Sequence, residues 1–155
     1  MFGCDNKSTI YCWPRYILCS GFDISICVPT LEDSHERELK LIRLLDSIKD
    51  DTEMLFLMGD LFDFWFEYKT VVPRGYTRLL GRLAQFVDDG IPVHLFAGNH
   101  DLWTFDYLQK EIGIQVHREP MIMTLKDKKF LLVHGDGRGP GDRGYKFLKR
   151  VFEGK

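Results

Sequence analysis

Three short apolar runs in this chain are each followed at once by residues that can bind a metal ion. Each run has the length and the bounds of a buried strand. Because open α/β sheets place their sites beyond the carboxyl ends of the strands, we expect the three polar groups to meet at one edge. The runs with their polar ends are Met54–Met58 before Gly59–Asp63, Val93–Ala97 before Gly98–Asp101, and Phe130–Val133 before His134–Asp136.

Helical patterns alternate with these strands. Leucines recur at helical spacing in residues 30–51, which predicts one helix there, and again between Pro73 and Gly90, which predicts a second. A short helix is predicted at Phe105–Glu111, a strand at Gln115–His117 and a hairpin at Met121–Val133. Strands that alternate with helices predict an α/β protein, a sandwich of mixed sheets flanked by helices.

Composition and charge exclude several classes of protein. With 155 residues, 45% of them hydrophobic, the chain is long and apolar enough for one folded domain. The net charge of −2 provides no overall attraction to nucleic acid, so no nucleic-acid partner is expected. No apolar run reaches the roughly 18 residues of a membrane span, and the N-terminus lacks the parts of a signal peptide. We therefore expect a cytoplasmic protein.

Residues 1–29 differ from the rest of the chain and show no clear periodicity. All four cysteines lie there, at Cys4, Cys12, Cys19 and Cys27. A metal knuckle or a disulfide pair is one interpretation, but the spacing contains no C-x-x-C pattern. The other is a segment foreign to the domain in residues 30–155, and we adopt that division.

The polar ends of the strands suit phosphate hydrolysis on two metal ions. The carboxylate of Asp60 can bridge two cations, Asn99 offers a carbonyl oxygen, and His134 offers an imidazole nitrogen. Such mixed ligands suit Mn²⁺, Fe²⁺ or Zn²⁺ better than Ca²⁺. Two metals about 3.5–4 Å apart can clamp a phosphate and lower the pKa of a bridging water. His100 could then protonate the leaving group or stabilise charge on the phosphoryl oxygens, and Asp101 could orient His100 or a ligand.

Each motif has a plainer interpretation when it is taken singly. A Gly-Asp pair after a strand is usually a turn, and a lone histidine at a strand end is usually structural. Their joint occurrence favours the metal site, with Asp63 and Asp136 as supporting groups around the ligands. Of the other histidines, we interpret His94 and His117 as structural and His35 as solvated.

At these motifs the chain resembles the calcineurin-like metallophosphoesterases, and among them the UDP-2,3-diacylglucosamine hydrolases of lipid A synthesis. The resemblance lies in Gly59–Trp65, Gly98–Asp101 and His134–Asp136, and it covers about residues 30–155. It implies a metallophosphoesterase sandwich. It also implies a reaction in which the α-phosphorus of the UDP-linked sugar is attacked, releasing UMP and the acylated sugar 1-phosphate.

The resemblance also implies roles for single residues. Asp60 would bridge a metal pair, for which we expect Mn²⁺, and Asn99 and His134 would bind one of the two ions. His100 would act beside the phosphate, with Asp101 next to it. The lipid substrate implies peripheral contact with the cytoplasmic face of the inner membrane. The residues that match positions near the substrate pocket are Trp65, Asp142 and Tyr145.

The sequence departs from the family pattern where the other metal ligands are expected. An Asp-x-His should follow the first strand, but Asp23-Ile24-Ser25 stands there, with a hydroxyl in place of the imidazole. A literal Asp-x-His occurs at Asp33-Ser34-His35, within the predicted first helix. The family's late pair of histidines would lie beyond Lys155. We hypothesise that residues 1–29 are read in a shifted frame and that the gene is interrupted after Lys155.

Three functions remain open from the sequence. The first is the UDP-2,3-diacylglucosamine hydrolase. This chain would then be a weak or inactive fragment of it that has an exposed sheet edge. The second is a general metallophosphoesterase that acts on nucleotides or phosphodiesters. The third is a binding module or a remnant without catalytic activity.

Overall fold

The computed structural model describes residues 3–4, 8–13, 16–20, 31–62, 64–125 and 127–134, with side chains from His35 onward. A short 3-10 turn, Lys49–Asp51, follows the first helix, and a π-helical turn, Leu108–Ile112, precedes the sixth strand. The elements in chain order are β1 (Gly3–Cys4), β2 (Ser8–Trp13), β3 (Tyr16–Ser20), α1 (Leu31–Ile48), β4 (Met54–Leu57), α2 (Thr77–Asp88), β5 (Val93–Phe96), β6 (Gln115–His117), β7 (Met121–Leu125) and β8 (Lys128–Leu132).

Six strands form the main sheet in the order β1-β2-β3-β4-β5-β6. Strands β3 to β6 run parallel, whereas β1 and β2 pair antiparallel at one side. In the register of β4 and β5, Leu57 lies opposite Leu95. The chain therefore leaves both strands at the same edge of the sheet, and this brings the segments after Met58 and after Ala97 together.

The two faces of this sheet are covered by different layers. Because side chains alternate along a strand, Leu55 and Leu57 face one side and Phe56 the other. The first side packs against α1 and α2 in the larger core, where leucines and Phe86 are fully buried. The second side packs through Phe56 and Phe96 against Leu125 and Leu132 of the β7–β8 hairpin, which forms its own two-stranded sheet. Burial of each such side chain stabilises the fold by about 1.5–3 kcal/mol.

This arrangement confirms the predicted α/β fold, with mixed sheets flanked by helices. Both predicted helices, the strand at Gln115–His117 and the hairpin are present. The predicted short helix at Phe105–Glu111 is instead the π-helical turn at Leu108–Ile112. A helix predicted from Tyr145 lies outside the described residues. No helix in the described part of the chain is both long and apolar enough to cross a membrane.

The N-terminal part of the chain has more regular structure than its pattern predicts. Residues 1–29 show no periodicity, yet β1, β2 and β3 lie within them, and β3 pairs with β4 from Tyr16 to Cys19. Strand formation depends on pairing with a neighbour as much as on local pattern, so short strands of this kind escape a search for periodicity. The Asp23–Ser25 stretch that follows β3 lies outside the described residues.

Candidate metal centre

The centre begins at the turn after β4, where the backbone adopts two left-handed conformations in succession. Gly59 has a φ of +82° and Asp60 a φ of +50°. A Cβ on Gly59 would overlap the His134 ring and lie 2.9 Å from the Phe96 carbonyl oxygen. Glycine is therefore required here, because it allows both the positive φ and the close approach of His134 to the turn.

His134 and Asp60 face each other across this turn. The Nε2 of His134 lies 3.2 Å from Oδ2 of Asp60, and both side chains are mostly buried. The other ring nitrogen, Nδ1, lies 2.8 Å from the Met58 carbonyl oxygen, which can only accept, so Nδ1 donates. In the neutral ring, Nε2 then presents a lone pair to the carboxylate. Two acceptors at this distance need a proton or a cation between them.

This donor set fits a divalent metal ion. Histidines that bind metals usually donate their second ring N–H to a carbonyl or a carboxylate, and His134 does so to Met58. Burial by itself raises the pKa of Asp60. The hydrogen bond from the His100 amide lowers it, as do the charge and the Nε2–H hydrogen bond of the His134 ring when that ring is protonated, so the pKa lies below the ordinary 3.8. Asp60 is thus an anionic oxygen donor at neutral pH, next to a ring nitrogen.

The second loop of the centre, residues 98–101, packs directly on Asp60. The amide of His100 donates to Oδ1 of Asp60 over 3.2 Å. A Cβ on Gly98 would overlap the Asp60 carboxylate, so only glycine leaves room for it. Asn99 stands between Gly98 and His100 on this loop, as predicted, and is half-buried.

Asp101 ties the two loops together. Its side chain is fully buried, and its two oxygens accept from the amides of Gly98, over 2.5 Å, and Leu61, over 3.0 Å. Burial raises the pKa of Asp101 to about 6. The bonds described for this carboxylate run to the backbone of both loops, so Asp101 is a positioning residue, and the sequence pattern gave no indication of these partners.

The aromatic stretch after Asp60 divides into inward and outward side chains. Trp65 is fully buried against Phe62 and Tyr76. Its Nε1 donates to Oε1 of Glu67 over 2.9 Å. Trp65 therefore lies in the core of this structure, and its place near the substrate pocket stays a prediction. Phe64, by contrast, is 52% exposed.

Glu67 is a buried residue that no sequence pattern selects. Its Oε2 accepts from the amides of Phe105 and Asp106 over 2.7 and 2.8 Å. The carboxylate thereby fixes the segment after the 98–101 loop to the aromatic stretch. A single glutamate among aromatic residues has no sequence signature for such a role, because its partners are backbone groups almost forty positions away.

Other predicted site residues are not brought to this centre by the described structure. His35 lies on α1, 3.7 Å from Glu38, which does not suit the Asp-x-His of a metal site at a strand end. Within the described ranges, no three His, Cys, Asp or Glu side chains converge on a point. The described centre is therefore Asp60 and His134 with Asn99 nearby. The predicted residues outside the described ranges are Asp63, Asp136, Asp142 and Tyr145.

This chain belongs to the calcineurin-like phosphoesterase family, whose model matches residues 33–153. Membership implies divalent metal ions, in agreement with the donors that Asp60 and His134 present. It also confirms the family that the chain resembles at the three strand-end motifs.

Two relatives of this chain carry the same name. A UDP-2,3-diacylglucosamine hydrolase of Porphyromonas gingivalis is 44% identical over 116 residues, which are 75% of this chain and 42% of that protein. One of Haemophilus influenzae is 31% identical over 127 residues, 79% of this chain and 52% of that protein. The chain thus spans about half the length of these relatives. The crystal structure of Pseudomonas putida nuclease MPE aligns with 72% of this chain and 52% of its own, at 22% identity and a TM-score of 0.49.

Proposed function

We propose that the protein hydrolyses the pyrophosphate of UDP-2,3-diacylglucosamine, with UMP and the acylated sugar 1-phosphate as products. The observation behind metal-dependent chemistry is the pair of acceptors, Asp60 Oδ2 and His134 Nε2, that face each other at 3.2 Å. The substrate is supported by the names of the relatives, which are 44% and 31% identical to this chain.

In this proposal Asp60, Asn99 and His134 hold the metal, and Mn²⁺ is the ion we expect from their mixed oxygen and nitrogen donors. When bound, the metal supplies polarisation of the phosphoryl oxygens and a lowered pKa of bound water. His100, whose amide already bonds to Asp60, stabilises charge on the phosphate or protonates the leaving oxygen. Asp101 holds the two loops at the separation that this arrangement requires.

The test is hydrolysis by the purified chain with Mn²⁺, followed as release of UMP from UDP-2,3-diacylglucosamine. We expect slow UMP release, as for the weak fragment that the sequence predicts. Asp60→Asn and His134→Asn should each lower the rate further, by more than the roughly 10–100-fold cost of removing an outer partner of a metal ligand. His35→Asn is the matched control and should leave the rate unchanged, since His35 lies on α1.

The other outcomes distinguish the alternatives. Hydrolysis of bis(p-nitrophenyl) phosphate without UMP release would replace the proposal by a general metallophosphoesterase. No hydrolysis of either substrate by a folded chain that binds Mn²⁺ would indicate a remnant without catalytic activity. Each result contradicts the proposed substrate in a different way.

We further propose that the protein is cytoplasmic and makes peripheral contact with the membrane that holds its proposed lipid substrate. Its support is an aromatic surface formed by Phe64, Phe66, Tyr68, Trp103 and Phe105. The rings of Phe64 and Phe66 are stacked with their centroids 6.5 Å apart, and the centroid of the Trp103 ring lies 5.6 Å from that of Phe64. Cations lie over two of the rings, Lys69 over Tyr68 and Arg118 over Phe105. Exposed aromatic rings accompanied by basic side chains suit an anionic lipid surface.

A further inference from the structure

A second pair of polar side chains lies away from the candidate metal centre, between the two sheets. Nδ1 of His94, on β5, lies 2.9 Å from Nε2 of His117, on β6. The two rings are stacked, with centroids 5.1 Å apart and planes 21° from parallel. Phe56 stacks on His94 at 5.2 Å and Phe96 on His117 at 4.8 Å. We call these four residues the ring column.

The contact between the two histidines depends on their protonation. One hydrogen lies between two nitrogens 2.9 Å apart, so one ring donates and the other accepts. His94 is only 5% exposed, and its Nε2 is buried without a hydrogen-bond partner among the described residues. When both rings are charged, both facing nitrogens carry hydrogens, and the contact becomes repulsive. The pair therefore holds together only while at least one ring is neutral.

The ring column is linked to the loop that carries Asn99. The backbone carbonyl of His117 accepts from the amide of Ala97 over 2.8 Å, just before that loop begins. Phe96, which stacks on His117, is the last residue of β5. A displacement of His117 would therefore act on the end of β5 through both a backbone bond and a ring contact.

Few other charges lie on the elements around the ring column. From β4 the neighbour is Phe56, and from the hairpin the packed residues are apolar, except that Lys128 lies on the inward side of β8. Next to His117, the Arg118 guanidinium donates to the Thr104 carbonyl. No described carboxylate forms an ion pair with either ring. Burial lowers the pKa of His94, and the charge of His117 lowers it further; burial also lowers the pKa of His117.

We propose that His94 and His117 are positioning residues that hold the end of β5, and with it the Asn99 loop, while the pair is intact, and release it when both rings become charged in acid. The consequence for metal binding rests on the proposed function. The link between the histidine pair and the loop does not, because it is made through His117, Phe96 and Ala97 alone.

The test is a pH titration of the wild-type chain by NMR, which follows the histidine rings and the backbone amide of Ala97. We expect both rings to titrate below 6.5, the ordinary histidine value, and the Ala97 amide to shift with the same midpoint. Rings that titrate at 6.5 or above, or an Ala97 amide that moves with a different midpoint, would overturn the proposal. This readout needs neither metal nor substrate.

Variants separate the pair from other titrating groups. The double variant His94→Phe, His117→Phe keeps a column of aromatic rings but cannot titrate, so the Ala97 transition should disappear. His35→Gln, on α1, should leave it unchanged. An Ala97 transition of undiminished size in a folded double variant would contradict the proposal. If that variant does not fold, the wild-type midpoints still decide the matter.

Discussion

Two glycines and one carboxylate set the geometry of the candidate metal centre at the scale of single residues. Gly59 makes room for the His134 ring, and Gly98 makes room for the Asp60 carboxylate. Asp101 then fixes the backbone of both loops. The candidate ligands Asp60 and His134 are ordinary residues at strand ends, so their positions depend on these three neighbours.

Replacement of Gly98 by alanine should displace Asp60, because the new Cβ would occupy the position of the carboxylate. We expect Gly98→Ala to weaken Mn²⁺ binding by at least about tenfold, the lower range for disturbed surroundings of a ligand. Gly81→Ala is the control, since nothing lies within 4 Å of its Cβ on α2. It should raise stability by about 0.5–1 kcal/mol and leave metal binding intact. Equal Mn²⁺ affinity in both variants, measured by calorimetry, would show that Asp60 is not confined by Gly98.

Replacement of Asp101 by asparagine should destabilise the fold, because an amide has one accepting oxygen for the two N–H groups of Gly98 and Leu61. We expect a loss of about 1–3 kcal/mol in the free energy of unfolding in urea, the cost of an unsatisfied buried group. The exposed Asp106, paired with Lys110, provides the control Asp106→Asn. That change should cost less than about 1 kcal/mol. Similar losses in both variants would contradict the positioning role of Asp101.

At the scale of elements, the parts of the fold with strong local patterns were predictable. Strands β4 and β5 are short apolar runs, and their parallel register explains why Asp60 and the 98–101 loop meet. The contacts that were not predictable run to the backbone: Asp101 to Leu61, Glu67 to the amides of residues 105–107, and His134 to Met58. Backbone partners have no residue identity, so a sequence pattern cannot reveal them. Trp65 shows the same limit, since an aromatic run does not say which ring turns inward.

The aromatic surface should bind anionic lipid if the proposed membrane contact is right. We expect the double variant Phe64→Ser, Phe66→Ser to lose sedimentation with phosphatidylglycerol vesicles while its melting temperature is retained, since both rings are 43–52% exposed. The control is Ile122→Ser, Leu131→Ser, a pair of exposed apolar residues opposite each other on β7 and β8. Equal vesicle binding in the two double variants would remove this surface from consideration.

At the scale of the whole molecule, the buried histidines make stability depend on pH. Their folded-state pKa values lie below 6.5, so below that pH the unfolded chain binds more protons. The stabilisation that they provide is complete above pH 6.5 and is lost as the pH falls through their folded-state values. Asp101, with its pKa raised to about 6, acts in the opposite direction, since protonation stabilises the fold as the pH falls from about 6 towards 3.8.

A comparison of variants isolates the histidine contribution. We expect the melting temperature of the wild-type chain to fall more steeply below pH 6.5 than that of the double variant His94→Phe, His117→Phe, because Asp101 is common to both. His35→Gln should follow the wild-type curve. Parallel curves for the wild type and the double variant, measured by circular dichroism, would mean that the histidine pair has the same pKa values in the folded and unfolded states.

Titration of the metal-free chain with MnCl₂ by calorimetry shows whether Asp60 and His134 form a metal centre. We predict saturable binding that also raises the melting temperature, since a ligand of the folded state stabilises it. Binding should weaken more than about tenfold in Asp60→Asn and His134→Asn and stay unchanged in His35→Asn. Absence of saturable binding, or undiminished binding in folded Asp60→Asn and His134→Asn, would mean that these two residues do not form a metal centre.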